Sequence, residues 1–355
     1  RHATSASATV LGDAVSKNPT FFTNWIGAND VLSYATNGGA QADGTTPAAD
    51  HNLTGNMNPA TYGSNDITNS GVFASVYSTL INTLTSGGAK GVVANIPNVT
   101  SVPFFTTVPT NPIPGLPSAN AASLNQLFGG INAALAGVGL PARYATLLAD
   151  DGNPATVEAN PLLIVDESLI NISAQITAAL TPIYGAPTAA FLGNLFGQTR
   201  HASNTPGSRD YILLTASGII GTTSSAAPAP FNTVGVSFPM QDSAVLTADE
   251  TAQVKTATDA FNATIQSLAT AKGLAFVDAN ATLNQVANGG ITLNNFTVTS
   301  NFVTGGGFSL DGVHPSPRGY ALIANKFFEA INATYGSNFK GVNIGDYRIL
   351  YPASL

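Results

Sequence analysis

The chain has 355 residues, a net charge of −7 and an isoelectric point near 4.8, which argues against a nucleic-acid partner because such a partner needs a basic face. It contains no cysteine, so disulfide frameworks, cysteine–zinc sites and thiol nucleophiles are excluded. Charged residues make up only 9%, against about 25% in an average globular protein, and polarity is carried by Asn, Thr, Ser and Gly. We associate that composition with secreted or cell-surface proteins.

The ends of the chain and its hydropathy bear on localisation. No apolar run approaches the ~20 residues that span a bilayer, so we expect no transmembrane segment. The sequence starts with Arg1 and has no signal peptide. We interpret the N-terminus as processed or truncated, with any signal or lipid anchor removed with the missing part.

The first predicted strand ends in a polar turn. An apolar, β-prone run over 20–26 is followed by Gly27-Ala-Asn29-Asp30 and a helix-compatible segment over 31–35. Open α/β sheets place ligand-binding groups where a strand ends in a glycine turn. An Asn29 side chain at that point can donate to an oxyanion, although an ordinary Asx turn after a strand fits the same residues.

The next segments predict a parallel α/β rhythm. Residues 36–70 are rich in Gly, Asn, Thr and Asp without periodicity, and we interpret them as a surface loop in which His51 is solvated. Apolar spacing predicts a helix over 72–84 and then, after a glycine turn, a strand over 91–96.

The middle of the chain changes character. Five prolines between 103 and 117 are followed by apolar residues at helical spacing. We predict a helical insertion over 111–205, a candidate lid, although its apolar residues fit ordinary packing against a sheet equally well. Residues 1–110 and 206–355 would then form the two parts of one α/β core, the second containing strands over 211–215 and 274–277 and a capping box at Thr247–Glu250.

The C-terminal part contains the sequence Asp311-Gly-Val-His314-Pro in front of an amphipathic helix. Ser316 is an N-cap candidate and Pro317 suits the first helical position. The three-residue spacing lets the Asp311 carboxylate reach Nδ1 of His314 and leave Nε2 free as a base. A surface loop with an incidental Asp and His is the alternative.

A metal site and a cofactor are not predicted. The four histidines, His2, His51, His201 and His314, include no two at ligand spacing, so we expect no zinc site. A metal held by Asp311, His314 and a distant carboxylate ranks below the Asp–His pair.

Together, Gly27-x-Asn29-Asp30 after a strand and Asp311-x-x-His314-Pro before the last helix resemble the SGNH (GDSL-type) hydrolases, closest to secreted or lipoprotein members from Bacteroidota-type bacteria. The resemblance covers most of the chain outside the central insertion. It implies an α/β, three-layer flavodoxin-like fold with a central parallel sheet. It also implies that His314 and Asp311 belong to a catalytic triad, that Asn29 donates to the oxyanion, and that Gly27 supports the turn.

The chain departs from the family pattern at the nucleophile. No Gly-Asp-Ser block is present, and Gly12-Asp13-Ala14 has Ala at the serine position and stands too close to Gly27 for a crossover. We therefore expect this chain to be the portion C-terminal to the nucleophile block, lacking its first strand region. An N-terminal fragment of the same precursor is the expected partner and supplies the Ser.

The resemblance thus implies a serine esterase or lipase-like enzyme, extracellular or at the cell surface, acting on lipid or other acylated substrates. The alternative is a catalytically inactive surface binding or structural subunit built on the same scaffold. The missing nucleophile favours the alternative, and the two intact motifs favour the enzyme.

Overall fold

The computed structural model describes Ser5 and residues 8–349. That part of the chain contains eleven α-helices: α1 (Val10–Val15), α2 (Asn29–Thr36), α3 (His51–Thr54), α4 (Ser70–Thr85), α5 (Pro103–Thr106), α6 (Ser118–Gly137), α7 (Ser173–Tyr184), α8 (Ala186–Phe196), α9 (Ala248–Ala271), α10 (Ala279–Ala287) and α11 (Pro317–Tyr335). The same residues form nine short strands: β1 (Phe21–Asn24), β2 (Lys90–Ala94), β3 (Leu163–Val165), β4 (Thr199–His201), β5 (Tyr211–Ile212), β6 (Val245–Leu246), β7 (Ala275–Val277), β8 (Ile291–Leu293) and β9 (Phe296–Val298).

Two compact units divide these elements. The first unit takes the residues up to Ala35, Ala48–Thr107 and those from Ala252 onward, and the second takes Thr36–Pro47 and Val108–Thr251. The predicted insertion over 111–205 lies inside the second unit. That unit continues to Thr251, so residues 206–251, which we had assigned to the core, pack with the insertion.

The first unit is built on a three-stranded parallel sheet in the order β1–β2–β7. Phe22 pairs with Gly91, and Val93 pairs with Phe276. Gly91 has no side chain, and the Phe22 ring occupies the space that a Cβ there would need. The predicted mixed α/β class with a parallel sheet is therefore confirmed at this level.

The C-terminal helix α11 packs on this sheet through its apolar stripe. Ile331 is buried with Val92, Ala94 and Val277, and Phe327 packs against the same cluster. Burying one such aliphatic side chain stabilises the fold by about 1.5–3 kcal/mol. This contact fixes the helix that follows the Asp311–His314 loop.

The second unit has a helical core and two small antiparallel strand pairs. Helices α6, α7 and α8 contribute buried apolar residues to one cluster: Leu127, Phe128, Ile131, Leu135, Ile176, Leu180, Leu192 and Phe196. Strand β3 pairs with β4, and β5 pairs with β6.

One predicted strand is wrong. Residues 211–215 were expected to extend the parallel sheet, but Tyr211 and Ile212 pair antiparallel with Leu246 and Val245 in the second unit. A 3-10 turn over Leu214–Ala216 ends that strand. A short aliphatic run does not specify its partner, and here the partner lies more than thirty residues further along the chain.

Across the described residues, no helix combines the length and the apolar character that crossing a membrane requires.

Candidate active site

The predicted Asp311–His314 hydrogen bond is present. Asp311 Oδ2 lies 2.7 Å from His314 Nδ1, while Oδ1 accepts from the backbone N–H groups of Val313 and His314, both at 2.9 Å, and from the Ser309 hydroxyl at 2.5 Å. An ionised carboxylate can only accept, so Nδ1 carries the proton. His314 Nε2 then presents its lone pair, which is the arrangement that a general base requires.

Asp311 is held in its ionised form. Partial burial alone would raise the pKa of this carboxyl, but the hydrogen bonds from Ser309, Val313 and His314 outweigh that effect and hold the pKa well below its usual range. Asp311 therefore stays a negatively charged orienting group for the imidazole across the physiological pH range.

The start of α11 fixes this loop. Ser316 caps the helix, with its Oγ accepting from Gly319 N–H at 3.0 Å and donating to the Gly306 carbonyl at 2.6 Å. Pro317 occupies the first helical position, as the sequence predicted. A Cβ at Gly319 would overlap the Gly307 carbonyl, so this close approach of the loop to α11 requires glycine.

The second motif forms the turn from β1 into α2. Gly27 has φ +114°, and a Cβ there would meet Ile96 at 2.9 Å and Phe73 at 3.0 Å, so both conformation and space require glycine. Asn29 is the first residue of α2 and is exposed. Its side-chain amide makes no hydrogen bond within the described part of the chain, so its donor is available to a ligand.

Asn29 and His314 line the same pocket. The pocket encloses about 290 Å³ and lies within the first unit. Large apolar side chains form most of its wall, among them Trp25, Leu32, Val277, Leu283, Val286 and Ile323. A polar pair beside an apolar cavity suits a ligand with one reactive polar group and an apolar body.

No serine lines this pocket in the part of the chain that the structure describes. The hydroxyls among its lining residues belong to Thr282 and Tyr320, and the Thr282 hydroxyl already donates to the Asp278 carbonyl at 2.8 Å. Gly12-Asp13-Ala14 lies within helix α1 and offers no nucleophile.

Trp25 and Lys326 are two polar-tipped residues of the pocket lining that the sequence analysis did not single out. Trp25 directly follows β1, and its Nε1 donates to the Asn95 carbonyl at 3.1 Å, which holds the indole at the pocket wall. Lys326 also lines the pocket and pairs with Glu329 at 2.9 Å. The single tryptophan of the chain at a strand end was an available signal for the first of these.

His51 is not the solvated loop residue that we expected. It is 5% exposed, its Nε2 lies 2.8 Å from Asp66 Oδ2, and its ring stacks on Tyr62 at 3.8 Å between centroids. Because these partners come from residues 62–66, the segment that we interpreted as a surface loop closes on itself around His51.

Comparison of the chain with protein-family models, with curated proteins and with solved structures returned no match.

Proposed function

We propose that the pocket of the first unit is the acyl-ester site of an SGNH-type serine hydrolase. The observation that carries the proposal is the joint lining of one apolar pocket by His314, oriented by Asp311, and by Asn29. In this proposal β1, β2 and β7 are neighbouring strands of a flavodoxin-like sheet, an assignment in keeping with their parallel order.

Each residue has a role in the proposed reaction. A serine hydroxyl attacks the ester carbonyl while His314 Nε2 accepts its proton. Asp311 stabilises the imidazolium that forms, and the Asn29 amide donates to the oxyanion of the tetrahedral intermediate. His314 then protonates the leaving alkoxide, and a water molecule repeats the sequence on the acyl-enzyme.

The nucleophile in this proposal is a serine from outside residues 1–355, carried by an N-terminal fragment of the same precursor. Within the described residues β1 pairs only with β2, so its other edge can accept a further parallel strand. Family topology puts the serine at the C-terminal end of such a strand, next to Asn29. The low charge content supports a site of action outside the cytoplasm or at the cell surface.

The alternative is a binding or structural subunit without catalysis. The observation that favours it is the absence of serine from the described pocket lining, which leaves an apolar cavity with an ordered imidazole. The two hypotheses differ in whether His314 and Asn29 affect turnover or only ligand affinity.

The test is hydrolysis of a p-nitrophenyl ester series by the longest reading frame that contains residues 1–355. Replacing the general base, His314→Ala, should lower kcat/KM by at least about 10³-fold. Replacing the oxyanion donor, Asn29→Ala, should lower kcat by about 10²–10³-fold.

The matched control is Asn338→Ala, an exposed asparagine that does not line the pocket, which should leave the rate unchanged. Hydrolysis that is equally fast in the His314→Ala and Asn338→Ala variants would contradict the proposal. Absence of hydrolysis, with ester analogues still bound, would favour the binding subunit.

A further inference from the structure

Three carboxylates from separate parts of the second unit meet in its interior. Glu167 follows β3, Asp242 precedes β6, and Glu250 lies in the first turn of α9. Each of the three residues has one carboxylate oxygen that lies within 4.8 Å of such an oxygen in both of the others. The chain thus brings Glu167 together with two acids that lie more than seventy residues further along the sequence, and none of the three lines the proposed ester pocket.

Four oxygens of this acidic trio have no hydrogen-bond donor within the described residues. They are both carboxylate oxygens of Asp242, Oε1 of Glu250 and Oε2 of Glu167. Asp242 is only 6% exposed and Glu250 only 3%. Bulk water therefore does not reach these carboxylates to supply the missing hydrogen-bond donors. A buried, unpaired carboxylate is costly, and native structures seldom leave one without a ligand or a proton.

The position of Glu250 is fixed by the capping box that the sequence predicted. Its Oε2 accepts from the Thr247 N–H at 2.7 Å and from the Thr247 hydroxyl at 2.8 Å. Both capping bonds use this one oxygen. Oε1 is therefore held in place with its lone pairs uncommitted.

Arg200, a half-buried basic side chain of the same unit, is committed to other carboxylates. Arg200 binds Asp166 Oδ2 at 2.6 Å and both oxygens of Asp210, at 2.5 and 2.8 Å. None of the ion pairs among the described residues includes Glu167, Asp242 or Glu250. The acidic trio therefore needs positive charge from another source, either bound protons or a cation.

We propose that Glu167, Asp242 and Glu250 bind one calcium ion. Carboxylate oxygens are the ligands that hard divalent cations prefer, and the trio offers neither sulfur nor nitrogen. Calcium–oxygen distances of about 2.3–2.6 Å let one ion bridge oxygens separated by up to about 5 Å, and calcium tolerates irregular geometry better than magnesium does.

The backbone around Gly39 is built to approach this site. Gly39 has φ +70°, and a Cβ at that position would overlap Glu250 Oε1. Only glycine lets the chain cover the acidic trio so closely. A cover of this kind shields a bound ion from solvent while leaving the carboxylate oxygens free to ligate it.

Bound protons are the competing explanation. Burial, and then repulsion from neighbouring carboxylates, raises the pKa of Asp242 and of Glu250 well above the ordinary range. Asp242 also lies close enough to Glu167 for one shared proton to join the two. A cation and a shared proton would satisfy the same oxygens, so the experiment must separate them.

The experiment compares the full 355-residue chain after chelation with the same chain titrated with calcium chloride at pH 7.5. Isothermal titration should give one equivalent of calcium per chain. The melting temperature of the transition that includes the second unit should rise by roughly 3–6 °C at a hundredfold excess over Kd. Magnesium should bind more weakly.

The variant Asp242→Asn should abolish both the bound equivalent and the melting shift. A second variant, Glu167→Gln, should weaken calcium binding at least tenfold. Glu167 is partly exposed and Asp242 is buried, so Glu167→Gln provides the test if Asp242→Asn does not fold. The matched control is Asp151→Asn, at an exposed residue of a second acidic group, Asp150, Asp151 and Glu158. This variant should keep both effects.

Three results would overturn the proposal. They are a melting temperature independent of calcium, calcium binding that survives Asp242→Asn and Glu167→Gln, and loss of calcium binding in Asp151→Asn alone. If shared protons satisfy the acidic trio, Asp242→Asn should raise the melting temperature in chelator, and calcium should have no effect on the wild-type chain.

Discussion

At the scale of single residues, two histidines are placed in opposite surroundings. His314 is exposed, its Nδ1 is bound to Asp311, and the residue lines the pocket. His201 is 8% exposed, its Nδ1 accepts from the Ala145 N–H at 2.9 Å, and its Nε2 has no partner among the described residues. The first is arranged to exchange protons with a ligand, and the second is arranged to remain neutral.

Burial lowers the pKa of His201 to about 4 from an ordinary value near 6.5. Below pH 6.5 the unfolded chain therefore takes up a proton that the folded chain refuses. The free energy of unfolding should fall as pH drops from about 6.5 to about 4, by about 3 kcal/mol at most. Chemical denaturation at several pH values measures this loss.

The variant His201→Asn keeps a side-chain acceptor for the Ala145 N–H but does not titrate, so this part of the acid sensitivity should disappear. The exposed histidine variant His314→Asn should retain it. Equal acid sensitivity of the wild-type chain and His201→Asn would show that another group causes the loss.

Residue-level prediction worked where partners are neighbours in sequence. Asp311 and His314 are three residues apart, and their hydrogen bond followed from that spacing. His51 was misjudged because its partners, Tyr62 and Asp66, come from a segment without periodicity. The acidic trio was missed because no local pattern connects Glu167 to Asp242.

At the scale of elements, α11 joins the sheet to the proposed site. Its buried face packs on β2 and β7, while its N-terminus holds the loop of Asp311 and His314. Ser316 connects the helix to the preceding loop. Its hydroxyl accepts a hydrogen bond from Gly319 N–H in the first turn of α11 and donates one to the Gly306 carbonyl.

Replacing this cap, Ser316→Ala, removes both hydrogen bonds from a side chain that is only 1% exposed. We expect the free energy of unfolding to fall by about 1–2 kcal/mol. Urea denaturation followed by circular dichroism measures the change.

The control is Ser118→Ala at the start of α6, where the serine is exposed and Pro117 occupies the N-cap without a side-chain capping bond. That change should stay within about 0.5 kcal/mol. An equal effect of the two substitutions would contradict the role given to Ser316.

Helix starts could be predicted from the sequence for a physical reason, whereas the pairing of a strand could not. Caps and apolar spacing are local, so Ser316–Pro317 and Thr247–Glu250 marked the starts of α11 and α9 correctly. A strand is completed by its partner, which lies elsewhere in the chain. The run over 211–215 had the right composition, but the sequence contained nothing that chose β6 over the parallel sheet.

At the scale of the whole molecule, the chain alternates between its two units. It leaves the first unit after Ala35, returns at Ala48, leaves again after Thr107 and returns at Ala252. The pocket with Asn29 and His314 belongs to the first unit, and the acidic trio belongs to the second. Sequence periodicity located the helices of the second unit but not its limits, because those limits depend on packing between distant segments.

The most direct test of the proposed ester site is labelling with a fluorophosphonate, which reacts with activated serines. The longest reading frame that contains residues 1–355 should be labelled stoichiometrically on a serine outside those residues, and His314→Ala should abolish the labelling. The 355-residue chain alone should not be labelled. Stoichiometric labelling of a serine within residues 1–355, or labelling that persists in His314→Ala, would contradict the account.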